Sequence, residues 1–275
     1  MFNLRKNLII IIFLLSSIFV VLLFLNLNAS WRKQEARILN PGKETAANLP
    51  KKISRGKMKF FELKNVSGRI VFYEENDSIV YESGPDGRDK RELVRIPGAL
   101  KIVFSPSGNG LIAAISEKGV LKNYYFDLED NKRKEMPKNA ENIVFSPDGE
   151  QIVYYFRDKE TDEAGIFTAG PDGSKAMNIF KTRINQLRLL WVKPDLIFLY
   201  SEADRRSTIF SMTANGKDFQ KVSEEEFNRY HKNDSEEISI LRELGIETVD
   251  SKLSPLKDYL IFIDAADGKL YSLKL

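Results

Sequence analysis

A turn built from Pro, Asp and Gly returns along this chain at a nearly fixed interval, and that recurrence restricts the fold more than any other feature of the sequence. One register reads IVFSPSG at 102–108 and IVFSPDG at 143–149, which puts Pro106 and Pro147 41 residues apart. Degraded copies follow as LLWVKPD, with Pro194, and SKLSPLK, with Pro255. A second register reads GPDG at 84–87, LEDN at 128–131, GPDG at 170–173 and TANG at 213–216, its last residues spaced by 44, 42 and 43. Asn131 stands where the other copies have Gly, the substitution a positive-φ turn position accepts most readily.

Between the turns lie short β-branched and aromatic runs, which are strand signals. In the best-preserved unit Ile143–Phe145 is expected as a first strand, Ser146–Gly149 as a turn and Gln151–Phe156 as a second strand. Ile166–Ala169 is a third strand, Pro171–Gly173 a turn, and Ala176–Phe180 a fourth. Four antiparallel strands in each period of about 40–45 residues describe a propeller blade. The expected fold is therefore all-β: five four-stranded blades at 59–96, 100–136, 142–182, 187–223 and 250–275, preceded by one N-terminal transmembrane helix. The fifth unit lacks a fourth strand. An N-terminal strand would have to close it, and Ile53–Leu63 is the stretch expected to serve, although blade one needs it too.

The repeat resembles the TolB-like and WD-like propeller repeats of bacterial envelope proteins, whose blades read FSPDG, an apolar strand, a further strand, then DG. The resemblance covers residues 58–275 and implies the fold; no Trp-Asp dipeptide is present. TolB has a separate N-terminal domain that the resemblance does not reach, so its partners are not carried over.

Residues 8–25, LIIIIFLLSSIFVVLLFL, are free of charge, and as a helix they span roughly 27 Å, near the thickness of a bilayer core. Residues 1–30 are therefore read as a membrane anchor. A cleaved leader is the rival, with Arg5 and Lys6 as its basic region, but the apolar run is longer than such leaders carry. The flank after Leu25 holds Arg32, Lys33, Arg37 and Lys43, which by simple counting opposes export. Long domains translocate largely regardless of charge, so the N-terminus is placed in the cytoplasm and the bulk of the chain outside, as in a single-pass signal-anchor protein.

Residues 31–57 read as a basic flexible linker, 58–275 as the propeller, and 224–245 as a helical insertion within it. Asp234 or Ser235 is the expected cap of that insertion. Ile238, Leu241 and Leu244 are expected on one face and Gly245 at the stop. The insertion reads equally as a partner-binding segment or as a helix that covers the blade edge, and the repeats on either side are expected to stand without it.

The chain has no cysteine and a single histidine, His231, which excludes thiolate chemistry, cysteine or histidine zinc sites and any ready histidine triad. Apart from Arg5 and Lys6 the net charge is +1, and no nucleic-acid partner is expected. Asp127, Glu129 and Asp130 resemble part of a calcium loop but lack its glycine and terminal glutamate. Ser54 and Lys57 have Ser-x-x-Lys spacing without its companions, and Asp158 with Asp162 is one loop-bound carboxylate pair among many. No residue is put forward as catalytic, cofactor-binding or metal-ligating, and no cofactor is expected. A membrane-anchored binding or scaffolding module for a protein or envelope polymer is the leading functional reading. A propeller-type hydrolase or lyase using carboxylates near the axis is the alternative.

Overall fold

The computed structural model describes residues 49–158, 160–161, 163–184, 187–201, 208–231, 240–242 and 244–275, with the backbone alone at His231. The expected span 8–25 lies outside these residues. Among the described residues no helix is long and apolar enough to cross a membrane.

Strand β1 (Lys51–Lys52) comes first, and four meanders of four strands follow. Blade one holds β2 (Met58–Leu63), β3 (Ile70–Glu74), β4 (Ile79–Ser83) and β5 (Arg91–Arg95). Blade two holds β6 (Ala99–Phe104), β7 (Gly110–Glu117), β8 (Val120–Asp127) and β9 (Lys132–Glu135). Blade three holds β10 (Ala140–Phe145), β11 (Ile152–Arg157), β12 (Ala164–Ala169) and β13 (Met177–Lys181). Blade four holds β14 (Leu187–Lys193), β15 (Leu196–Ser201), β16 (Ile209–Met212) and β17 (Gln220–Val222). Blade five has the order β1-β20-β19-β18, with β18 (Thr248–Leu253), β19 (Tyr259–Asp264) and β20 (Leu270–Lys274). The all-β, five-bladed expectation is met.

Closure uses a different segment from the one expected. Lys51 pairs with Ser272 and Lys52 with Tyr271, so the fourth strand of blade five comes from the stretch read as linker, while Met58–Leu63 pairs with Ile70–Glu74 as the first strand of blade one. The signal was weak because two lysines carry no strand preference of their own. The residues after them do the anchoring. Ile53 N–H donates to Leu270 O at 2.8 Å, Met58 N–H to Gly268 O at 2.7 Å, and Leu270 N–H to the buried Ser54 hydroxyl at 3.0 Å. Gly87 of blade one rests on Ile53 as Gly173 of blade three rests on Met136, the residue just after the outer strand of blade two. Lys51–Ile53 therefore occupies the place of a fourth strand, as β9 and Met136 do in blade two.

Central strands β3, β7, β11, β15 and β19 are apolar on both faces because each is covered by a neighbour on either side. Side chains from blades one and two, two and three, three and four, and five and one merge into shared clusters. Between blades four and five the arrangement differs. Helix α1 (Glu224–His231) lays Phe227, 6% exposed, against Phe198, Ile209 and Val222 of blade four, while Leu241, 1% exposed, covers Leu260, Phe262 and Leu273 of blade five. Ser223 caps α1 by accepting the Glu226 N–H at 3.1 Å, and three glutamates in the first turn suit its positive end.

Asp234, Ser235 and Ile238 lie outside the described residues. Gly245 does stop the second helical stretch, at φ 69°, with Ile246 N–H donating back to Leu241 O at 2.9 Å. Leu244, expected beside Leu241, faces solvent instead. Phe227 and Leu241 pack into the clusters of blades four and five, in line with the reading of the insertion as a helix that covers a blade edge, and their burial speaks against the repeats standing unaffected without it.

Gly149 and Gly173 take φ of 79° and 75°, and Asn131 takes 52°, as their turns require. A Cβ on Gly149 would collide with the Ser105 hydroxyl of the preceding blade. Asp148 accepts the Glu150 N–H at 3.0 Å and Asp172 the Ser174 N–H at 3.0 Å, so both aspartates serve their own turns. Gly149→Val is expected to cost about 1–3 kcal/mol of backbone strain, before any clash, and Asp148→Asn less than about 1 kcal/mol. Equal unfolding midpoints for the two variants would contradict the turn assignment. Phe227→Ala is expected to cost about 3–5 kcal/mol and Leu241→Ala about 2–5 kcal/mol, by the usual penalty for emptying a core position. Denaturant titration of each measures it, and losses below about 1 kcal/mol would show the insertion to be decoration.

Candidate functional site

Each blade is a meander of four strands, an even number, so the chain enters every blade from the same end of the ring. The two ends consequently differ in chemistry. At one end lie the FSPxG and xDG turns, which pack on one another: Asn65 N–H donates to Pro106 O at 3.4 Å, and a Cβ on Gly68 would sit 3.5 Å from Pro255. At the entry end lie the starts of the inner strands, the hairpins between second and third strands, and the 224–245 insertion.

Bulges mark the entry end in four of the five blades, while blade four has its slip between Trp191 and Lys193, at the turn end. Register slips between Met58 and Phe60, Ala99 and Lys101, Glu141 and Val144, and Thr248 and Asp250 place one in the inner strand of blades one, two, three and five. An extra residue on one strand of a pair bends it and turns a side chain out of the alternation. Leu100 and Val249 are 63% and 69% exposed here. Asn142 adopts φ 51° within β10, a left-handed geometry that Asn tolerates. Its amide nitrogen donates to Leu187 O at 2.6 Å, and its oxygen accepts from Arg188 Nη1 at 3.3 Å, so Asn142 ties blade three to blade four and orients the arginine.

The first strands of the blades carry polar side chains: Glu62 on β2, Lys101 on β6, Asn142 on β10, Arg188 on β14, and Asp250 and Lys252 on β18. Glu62 and Lys252 neutralise each other at 2.6 Å. Lys101 and Asp250 are exposed, near the starts of β6 and β18. Enclosure lowers the Lys101 pKa and the Arg188 charge lowers it further, with no acid opposing. Enclosure raises Asp250, with Glu62 adding and Lys252 opposing. Lys101, Asn142 and Arg188 share a cavity of about 210 Å³ with Ile143, Val144, Leu189 and Tyr200.

The carboxylates buried elsewhere are structural. Burial alone would raise Glu82, but hydrogen bonds from Lys64 and Arg91, reinforced by Arg69, bring it down to about 2. Glu74 accepts the Arg55 N–H at 3.1 Å and pairs with Lys90 at 2.7 Å, which holds the closing segment.

The motifs noted in the sequence resolve into local structure. Asp127 accepts the N–H groups of Glu129 and Asp130, both at 2.9 Å, and thereby makes an ordinary turn. Asp158 caps its own loop through Glu160 N–H at 2.8 Å, and Asp162 lies outside the described residues. Ser54 is part of the closure, not of a Ser-Lys pair. No cluster of three or more metal-ligating side chains occurs among the described residues. Sequence reasoning passed over Lys101, Asn142 and Arg188. The only available signal was their position three to five residues before the first-turn motif or its degraded copy.

No protein-family model and no curated protein matches the sequence. Among solved structures the chain is similar to TolB from Acinetobacter baumannii, at 13% identity and a TM-score of 0.45, covering 81% of this chain and 55% of that one. It is similar to the β-propeller domain of the Trilobed protease from Pyrococcus furiosus, at 13% identity and a TM-score of 0.44, covering 78% and 82%. An acylaminoacyl peptidase from Pyrococcus horikoshii gives 10% identity and a TM-score of 0.45, covering 80% and 39%. The chain thus spans little more than half of the TolB chain and well under half of the peptidase. The protein is a five-bladed β-propeller with a TolB-like repeat, and at such identities no activity, partner or residue role transfers to it.

Arg188→Leu is expected to raise the Lys101 pKa, because a like charge that penalises the ammonium form is removed. The pH dependence of Lys101 acylation, followed by mass spectrometry, measures the shift. An unchanged or lowered pKa would mean that the two cations do not face one another.

Proposed function

We propose that this protein is a membrane-anchored, extracytoplasmic binding module. Residues 8–25 span the membrane, the basic stretch that follows is the tether, and the entry end of the propeller engages a protein partner. The observation that carries the reading is the asymmetry of the two ends. One end consists of short turns satisfied by their own hydrogen bonds. The other combines bulged inner strands, exposed Leu100 and Val249, and the cation pair Lys101 and Arg188. Exposed apolar side chains beside enclosed charge are the mark of an interaction surface.

A hydrolytic reading draws on one observation, Asp250 raised by burial with Glu62 adding to the shift, since a general acid needs a carboxyl whose pKa is raised. The binding reading is preferred because Lys252 already neutralises Glu62 at 2.6 Å, which removes the second carboxylate such chemistry would use.

The protein is expected to stay with membranes after alkaline extraction, and protease added to intact spheroplasts should digest the domain beyond Ser30. Full protection of that domain would overturn the orientation. A photocrosslinking residue at position 100 should give a discrete adduct in cells, and one at position 66, on the opposite end, should give none. Adducts from both or from neither would remove the entry end as the binding face.

A further inference from the structure

Three of the turns that follow the inner strands carry polar tips. Ser107, Asp148 and Asp195 come directly after Pro106, Pro147 and Pro194. Ser107 shares a hydrogen bond with the Ser105 hydroxyl at 2.9 Å and Asp148 accepts the Glu150 N–H at 3.0 Å, so these two side chains serve their own turns. Blades five and one depart from this. Leu256 follows Pro255, and Val66 stands in the turn between β2 and β3. Leu256 leaves its turn to Ser254 and Asp258, whose side chains meet at 2.7 Å. Among the described residues Val66 and Leu256 are the most exposed large apolar side chains, at 99% and 85%.

A single exposed apolar residue is ordinary on a protein surface. These adjoin. A Cβ on Gly68 would lie 3.5 Å from Pro255, which brings the two turns together. Leu275, 46% exposed, is tied to the turn of Leu256 by donating its N–H to Asp258 O at 2.9 Å. Blades five and one thus carry three apolar tips on one sector of the turn end. Chain direction gives that sector a second property. Strand β20 runs toward the turn end and β1 runs against it, with Lys51 opposite Ser272 and Lys52 opposite Tyr271. The stretch read as a tether therefore joins the ring from the turn end, beside the apolar tips. Lys51 and Lys274 are exposed there.

We infer that this sector of the turn end lies on a lipid bilayer, with Val66, Leu256 and Leu275 in the headgroup region and Lys51 and Lys274 against anionic headgroups. This rests on the membrane-anchored reading and adds which face of the ring meets the membrane. Apolar tips enter the interface between headgroups and acyl chains, while lysine stems lie along the same surface with their ammonium groups outward. The backbone of both turns is satisfied internally, since Gly68 N–H donates to Lys64 O at 2.9 Å and Lys257 N–H to Ser254 O at 2.8 Å. Methyl groups are left outermost, which suits a fluid surface that asks for no directional bond. The entry end then faces away from the bilayer, free for a protein partner. A tip sunk in lipid meets no protein, in keeping with the absence of an adduct expected from position 66.

The chain has no cysteine, so a single introduced cysteine carries a nitroxide label at a chosen site. The test is power-saturation electron paramagnetic resonance on the full-length protein in vesicles of phosphatidylcholine and phosphatidylglycerol. Labels on the Val66→Cys and Leu256→Cys variants are expected to collide more with dissolved oxygen than with a water-soluble nickel chelate. A label on the Leu100→Cys variant, at the entry end, should show the reverse. Adding Val66→Asp and Leu256→Asp together is expected to move a label on the Leu275→Cys variant from oxygen access to nickel access. Because both side chains stand in solvent, the unfolding midpoint and retention in the vesicles should not change. Nickel access at positions 66 and 256, in protein that stays with the vesicles after alkaline extraction, would overturn this inference alone. Release of the protein by that extraction would overturn the anchored reading and this inference with it. Dipolar broadening between labels at position 66 that vanishes on dilution with unlabelled protein would place a second copy of the chain on this face and overturn the lipid assignment.

Discussion

The structure depends on one seam, the pairing of Lys51–Lys52 with Tyr271–Ser272, because only there are the two ends of a chain-ordered ring joined. Every other pair of adjacent blades is linked by continuous chain. Two residues make a poor strand, and the seam is strong because it does not end with them. Ile53 enters the cluster shared by blades five and one, the Ser54 hydroxyl receives the Leu270 N–H at 3.0 Å, and the buried Glu74 carboxylate receives the Arg55 N–H. Without this segment β20 would be an open edge, with unpaired N–H and C=O groups exposed to any passing strand.

Closure at one joint permits irregularity at another. Blades four and five are the only neighbours whose facing surfaces appear as separate clusters among the described residues, each capped by a residue of the insertion. Phe227 meets the Phe198 ring edge-on, with centroids 5.3 Å apart, and also approaches Tyr200, so α1 covers blade four much as a neighbouring blade would. The same even-stranded topology that requires a seam gives the ring two chemically distinct ends. It gathers the insertion, the bulges and the cation pair at the end where the chain enters each blade.

The sequence disclosed the fold through its turns. Gly149, Gly173 and Asn131 announce positive φ by residue type alone, and their spacing sets the blade period; the structure places all three in that conformation. Strands crowded on both faces, such as Ile152–Tyr155, are equally legible because burial from two sides leaves an unbroken apolar run. The closing strand was not legible, since Lys51 and Lys52 earn their strand geometry wholly from partners more than 200 residues away. How deeply the insertion packs was hidden for a related reason. Its sequence is mostly charged, and nothing local reveals that Phe227 and Leu241 answer bare faces on two blades. The candidate site was least visible: Lys101, Asn142 and Arg188 lie on three blades, and only the bulges and the ring geometry bring them to one cavity.

Equilibrium denaturation of a full-length variant lacking Lys51–Gly56, compared with the intact chain, tests the central claim of closure most directly. The account predicts a loss of at least about 3 kcal/mol from the missing core side chain and hydrogen bonds, together with fast hydrogen exchange at the Leu270, Tyr271 and Ser272 amides. An unchanged midpoint, with those three amides still protected, would contradict it.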